Sequence, residues 1–336
     1  MEVWLHAFAI PGQVAETARR AEAWGFDGLL IADSQNLTAD IWIELALAGA
    51  ATSRLRLGPG DTNPVTRHIA VTASAAATLQ VETNGRATLG FARGDSALSQ
   101  IGRRPEAAGE FERSLQRLQG LLRGEQVQLS EGPSQIRWLA ASPMAKVPVH
   151  VAASGHRVIT TAARHAEGVD LTLGAELERI RWGTRLVRRA ATGGAGAVSI
   201  GAYVNVAVDP DRDTARRLVR GSVSTFARFS SGSELSAATS GGVAQAARSY
   251  EAARHGEAAA AGARGLEPEF IDRFAVAGPP AEVAERLTAI GAEGVHRLIV
   301  VPCSLDSDRA DVDASNERFA REVLPGLRPG RRARPG

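Results

Sequence analysis

Two Gly-rich segments, LGPGDTNPVTRH (Leu57–His68) and GRATLGFARGDSAL (Gly85–Leu98), hold most of the residues that could do chemistry. Each follows a run that reads as a buried strand, and in parallel α/β proteins such junctions are where ligands bind. A third junction, AASGHR (Ala152–Arg157), ends a strand and opens a helix. The backbone N–H groups of Ala153, Ser154, Gly155 and His156 at such a helix start would favour an anion, and Arg157 could add charge; a plain tight turn is the alternative. Asp33 and Ser34 close another strand, and Arg93 and Asp95 follow a fourth. Asp95 reads either as a reactive carboxylate or as a helix N-cap. His6, among apolar neighbours on the first strand, is either a hydrogen-bonded core residue or a proton donor with a near-neutral pKa. The sequence lacks His-x-x-His, Cys pairs and dense carboxylate clusters, so no metal site is expected. It also lacks a G-x-S-x-G elbow and a Walker loop.

Alternating strands and helices must position these residues. The strand-like runs are Val3–Phe8, Gly28–Asp33, Leu55–Gly58, Ala87–Phe91, Val147–Ala153, Gly168–Leu173, Val198–Val208 and Val295–Val301. Eight βα units predict an α/β fold, a (β/α)8 TIM barrel with its site at the C-terminal strand ends. Helical spacing marks Gln13–Gly25, Asp40–Thr52, Val71–Thr83, Phe111–Leu122, Ala281–Ile290 and Ala314–Val323. Two stretches interrupt the repeat. Val127–Leu139 predicts a hairpin turning at Gly132-Pro133. The Ala/Gly/Ser-rich Ser230–Gly265 predicts a mobile lid with one helical piece at Val243–Arg254.

Bulk properties limit the function classes. The 336 residues are expected to form one domain over 1–330, with an Arg-rich tail, Arg328–Arg334, frayed at the end. The 39 basic and 37 acidic residues nearly balance, which argues against a nucleic-acid partner. No apolar run approaches the ~18 residues of a membrane span. The first residues do not read as a signal peptide, and the single Cys303 suits a reducing compartment, so a cytoplasmic location is expected. Lys146 is the only lysine, a bias that with the abundant alanine fits GC-rich bacterial coding.

Five segments in order carry a resemblance: AEAWGFDGLLIAD (Ala21–Asp33), LGPGDTNPVTRH, ATLQVETNGRATLGFARGDSAL, VPVHVAASG and FAVAGPPAEVAERLTAIGAEGVHRLIVVP. Through them the chain resembles the luciferase-like monooxygenase superfamily, and within it the coenzyme F420-dependent branch typified by methylenetetrahydromethanopterin reductase. The resemblance implies a homodimeric barrel that binds F420 or, alternatively, FMN. It implies a non-prolyl cis bond at Gly60–Asp61 behind the ring, with Asp33 bonding the ring system and Thr62 and Asn63 bonding ring or ribityl oxygens. The phosphate-bearing tail is expected near Ser154, Gly155 and Arg157. Asp95 matches a carboxylate that is catalytic in some relatives. Ser34 departs from the pattern, standing where many deazaflavin enzymes have a catalytic histidine. The implied activity is hydride transfer from reduced F420 to an electron-poor C=C, C=N or C=O bond of a small molecule or peptide natural-product intermediate, the proton coming from Asp95, His6 or water. An FMN-dependent monooxygenase and a non-catalytic ligand-binding barrel are the alternatives.

Overall fold

Val, Ile, Leu and Ala dominate the strands because both of their faces are covered, the inner by the barrel interior and the outer by helices. In the computed structural model, which describes residues 1–130, 132–191, 198–230 and 237–328, all eight predicted barrel strands form. They are β1 (Glu2–Phe8), β2 (Gly28–Ala32), β3 (Arg56–Pro59), β4 (Leu89–Phe91), β7 (Val149–Ala153), β8 (Gly168–Leu171), β9 (Ser199–Val208) and β11 (Arg297–Val301). The remaining strands are a two-stranded hairpin, β5 (Val127–Leu129) and β6 (Gly132–Ser134), and a short β10 (Val276–Gly278) that extends the sheet beside the end of β9. Parallel pairing runs β3-β2-β1-β11-β9-β8-β7-β4, and bridges Leu57–Ala87 and Thr62–Phe91 join β3 to the β4 side.

The period-two alternation of side chains decides what enters the barrel. On β1, Val3 and Leu5 pack outward into the helix-covered core, while Trp4 belongs to the inner cluster. On β9, Ile200, Ala202 and Val204 face the helices and Tyr203 faces inward. On β11, Leu298 and Val300 do the same against Ile299 and Val301. This register sends His6, Tyr203 and Val301 to the barrel mouth and Arg297 to its floor.

Helices α1 (Val14–Ala23), α2 (Ile41–Ala50), α3 (Ile69–Glu82), α4 (Ser96–Ser99) and α5 (Ala108–Leu122) follow the first strands. The later ones are α6 (His156–His165), α7 (Leu177–Ala190), α8 (Arg212–Phe229), α9 (Ala237–Arg248), α10 (Ala261–Arg264), α11 (Pro268–Phe274), α12 (Pro280–Ala292) and α13 (Arg309–Arg318). Asp40 caps α2 through Trp42 N and Ile43 N, as Asp does at this position.

Three boundaries differ from expectation. Gly132 pairs with Leu129 and Pro133 with Gln128, so both lie in the second hairpin strand and not at the turn; Glu131 lies outside the described residues. A proline is tolerated there because the ribbon has free edges. In the Ser230–Gly265 insertion the helical piece expected at Val243–Arg254 is part of α9, which ends at Arg248; a 3-10 turn covers Ala252–Arg254 and the short α10 follows. Its Ala/Gly composition offers no apolar stripe to mark the ends, and Gly242 is instead the place where the Phe270 ring packs against the helix. Arg328 is tied down, donating to Gly25 O at 2.6 Å and pairing with Asp27; the rest of the expected tail lies outside the described residues.

Candidate active site

The C-terminal strand ends surround a cavity of about 740 Å³. Its wall at β3 is the Gly60–Asp61 segment, where the peptide bond is cis. Neighbouring strands hold this segment from both sides. Gly60 N donates to Ile31 O at 2.7 Å, and Thr62 N donates to Gly90 O at 3.0 Å. A Cβ on Gly60 would lie 2.8 Å from Leu30 Cβ and 3.1 Å from His6 Cδ2, so glycine is required by space.

His6 lies against this wall, its Nε2 3.0 Å from Gly60 O. A carbonyl only accepts, so Nε2 carries the hydrogen. Burial lowers the imidazole pKa to about 4 despite that bond. His6 is therefore a neutral donor committed to the bulge, the hydrogen-bonded alternative of its two sequence readings, and a poor proton store near neutrality.

Asp61 is half-buried at the cavity wall and accepts from the Tyr203 hydroxyl at 3.2 and 3.3 Å. Burial pushes its carboxyl well above the usual range, and the nearby charge of Asp170 adds to this; Tyr203 and Arg297 oppose it. Beneath it Asp170 pairs with Arg297, and His150 Nδ1 stands 3.6 Å from the other Asp170 oxygen. Gly201 leaves the space that the Asp170 carboxylate occupies.

Asp33 lines the cavity, and burial raises its carboxyl pKa. The Thr62 hydroxyl approaches it and partly offsets this, although neither Asp33 Oδ2 nor Thr62 Oγ1 closes a hydrogen bond of normal geometry. Asp33 Oδ2 is thus a buried acceptor at the cavity wall without a hydrogen-bond partner among the described residues. Thr62 itself is wholly buried behind that wall, so the structure does not place it where a ligand would bond it directly. Asn63 reaches the wall, but its Oδ1 accepts from Val65 N and Thr66 N at 3.0 and 2.9 Å and turns the chain toward α3. Ser34 lines the cavity, and its carbonyl closes the following turn by accepting from Leu37 N and Thr38 N.

Asp95 precedes α4 but makes no side-chain cap bond, which removes the N-cap reading. Its carboxylate instead lies 2.6 Å from Arg228 Nη1. Burial raises the Asp95 pKa while Arg228 and Arg93 pull it back. Arg93 Nε donates to Glu106 O at 2.5 Å. On the opposite side, Ala153 ends β7, and Ser154 Oγ donates to Phe229 O at 2.7 Å. Gly155 is the N-cap of α6 and supplies no capping side chain, while His156 and Arg157 are exposed at the rim. The helix N-terminus therefore faces the cavity with backbone donors available to an anion.

The luciferase-like monooxygenase family model matches residues 3–297. The chain belongs to that family. Its relatives include the 5,10-methylenetetrahydromethanopterin reductase of Archaeoglobus fulgidus, 26% identical over 324 residues, covering 92% of this chain and 93% of the relative. The F420-dependent glucose-6-phosphate dehydrogenase of Beutenbergia cavernae is 28% identical over 328 residues, covering 92% and 91%. Among solved structures, the coenzyme F420-dependent tetrahydromethanopterin reductase of Methanopyrus kandleri shares the fold, with a TM-score of 0.76 and 20% identity over 97% of this chain and 99% of that one.

This luciferase-like barrel brings sequence-distant residues to the mouth that no motif marks. Tyr203 is mid-strand, with a visible signal only in its inward parity. Phe226 and Phe229 end α8, and His255 comes from the insertion; all three line the cavity. Tyr250 Oη lies 2.9 Å from His255 Nδ1, and Arg228 stacks 3.9 Å above the Tyr250 ring centroid.

Proposed function

We propose that this chain is an oxidoreductase that uses coenzyme F420. The observation carrying the reading is the match, over nine-tenths of both chains, to relatives named as methylenetetrahydromethanopterin reductase and F420-dependent dehydrogenase. The residues present fit such a group. Asp33 Oδ2, a buried acceptor with no partner among the described residues, is suited to a ring N–H, the Gly60–Asp61 backbone offers a surface free of side chain at Gly60, and the α6 N-terminus with Arg157 suits a phosphate. When bound, the cofactor supplies the hydride chemistry. The protein orients the ring, excludes water with Phe8, Phe226 and Phe229, and sets the charge around it.

The aromatic wall supports an apolar substrate with an electron-poor C=C, C=N or C=O bond, small molecule or peptide natural-product intermediate. A homodimer is part of the reading, supported by exposed Ile43 and Leu47 on α2 and Val71 and Val81 on the adjoining α3. Fluorescence titration of the protein with oxidised F420 and with FMN tests the cofactor. F420 is expected to bind, and Arg157→Ala to weaken it about 3- to 10-fold, with a smaller loss at high salt. Tight FMN binding without F420 binding overturns the proposal and favours the monooxygenase alternative.

A further inference from the structure

Most polar groups in the cavity are already engaged. His6 Nε2 donates to Gly60 O, Asp61 accepts from Tyr203, Asp95 pairs with Arg228, and Arg93 holds the Glu106 carbonyl. Asp33 suits the cofactor ring. His255 differs. Its Nδ1 is taken by Tyr250 Oη at 2.9 Å, while Nε2 has no partner among the described residues and the ring lines the cavity. The segment carrying it is fixed at several points. Gln100 Nε2 donates to Ala252 O at 2.8 Å, Leu305 N to Gly256 O at 2.8 Å, and Ala258 N to Asp306 Oδ1 at 2.7 Å. Beside His255 stand Phe229, with ring centroids 6.1 Å apart, and through it Phe226.

We propose that His255, oriented by Tyr250, hydrogen-bonds through Nε2 to the heteroatom of the substrate's reacting C=O or C=N bond and delivers its proton, while the substrate's apolar or aromatic group packs on Phe226 and Phe229. The proposal rests on the oxidoreductase reading above and narrows its substrate class. In this scheme the Tyr250 hydroxyl donates across the 2.9 Å contact to Nδ1, the arrangement that puts the ring hydrogen on Nε2. Burial and the nearby Arg228 and His6 lower the His255 pKa to about 4, so the ring waits as a neutral donor, not as a stored imidazolium. When bound, reduced F420 would supply the hydride for the substrate carbon, and the heteroatom would take the Nε2 proton. Nδ1 takes the Tyr250 proton as Nε2 gives up its own; burial raises the Tyr250 pKa to about 12 while the Arg228 guanidinium opposes this, so the phenolate is short-lived and solvent returns its proton. His255 is catalytic in this scheme, and Tyr250 and Arg228 are positioning residues.

The test uses 4-(dimethylamino)cinnamaldehyde, whose absorbance moves to longer wavelength when its carbonyl is hydrogen-bonded. The wild type, with and without F420, is expected to red-shift the bound aldehyde. His255→Phe loses the shift and cuts F420-linked reduction of the aldehyde by about 100-fold or more. His255→Gln, which keeps an N–H at similar reach, retains part of both and guards against a folding defect. Tyr250→Phe gives a mixed His255 tautomer in 15N NMR, a readout that packing alone would not move. An unshifted wild-type spectrum, or an equal shift in His255→Phe, overturns the proposal. Because the shift is also read without cofactor, failure to bind F420 sinks the cofactor reading and leaves this outcome separate.

Discussion

Arg228 Nη1 meets Asp95 Oδ1 at 2.6 Å, joining the loop after β4 to the last turn of α8 across the cavity mouth. The side chains keep 24% and 33% of their exposure, between a surface pair and a buried one. Surface pairs contribute about 0–1 kcal/mol, and breaking buried ones costs about 3–5 kcal/mol. Asp95→Asn is therefore expected to cost about 1–2 kcal/mol in urea unfolding. A double-mutant cycle with Arg228→Met should return a coupling of about 1 kcal/mol, and a coupling near zero would mean that the loop and the helix are not joined by charge.

The pair on the barrel floor is expected to behave differently. Asp170 and Arg297 are both buried, and Arg297 also lies 4.6 Å from the Trp4 ring centroid. Asp170→Asn leaves a cation without compensation and should cost about 3–5 kcal/mol. Adding Arg297→Met should restore most of that loss, since replacing a whole buried pair by apolar volume is often neutral. Equal losses in the single and double variants would show that packing, not charge, sets the cost.

Strand composition made the barrel legible, because βα repeats with doubly buried strands admit few other folds. The Gly60–Asp61 wall, Asp33, Asp95 and the α6 N-terminus were legible because they follow strands directly in sequence. Tyr203, Arg228 and His255 were not. Their place at the cavity depends on strand parity, on how far α8 runs, and on the path of an Ala/Gly-rich insertion without an apolar period. The alternative roles of Asp95 and His6 needed three-dimensional partners, Arg228 for one and the Gly60 carbonyl for the other.

The His6–Gly60 bond carries a pH signature. The folded His6 pKa is about 4, and an unfolded histidine titrates near its ordinary 6.5. Between those values the unfolded chain holds more protons. The contribution of neutral His6 is fully present above pH 6.5 and is lost as pH falls toward 4. His6→Gln keeps a donor for Gly60 O and removes the titration. The stability of wild type relative to this variant is expected to fall from pH 7 to pH 5, with a slope approaching about 1.4 kcal/mol per pH unit. The His255 shift comes first from burial and then from Arg228, both kept in the variant, so most of its contribution cancels in the difference. NMR should also show the His6 ring neutral at pH 5.5, and a charged ring there would contradict the burial that the structure assigns.

Gly90 links β4 packing to the cavity wall. A Cβ at this position would overlap the Pro59 carbonyl oxygen and the Asp61 carboxylate, while Gly90 O must still accept from Thr62 N. The Pro59 oxygen is backbone and cannot turn aside, and the Asp61 carboxylate is held by the Tyr203 hydroxyl, so the methyl has to push the wall itself. Gly90→Ala is expected to cost about 1–3 kcal/mol through overpacking. Under the cofactor reading it should also weaken F420 binding, because the displaced surface is the one the ring would rest on. Gly109→Ala is the control. Nothing lies within 4 Å of its Cβ, it sits in the first turn of α5, and it should be neutral or stabilising by about 0.4–1 kcal/mol. Urea unfolding and F420 fluorescence titration of both variants separate the outcomes. A Gly90→Ala protein with unchanged stability and unchanged cofactor affinity would show that this wall yields freely, and that the close packing of β3 against β4 is not what shapes the cavity.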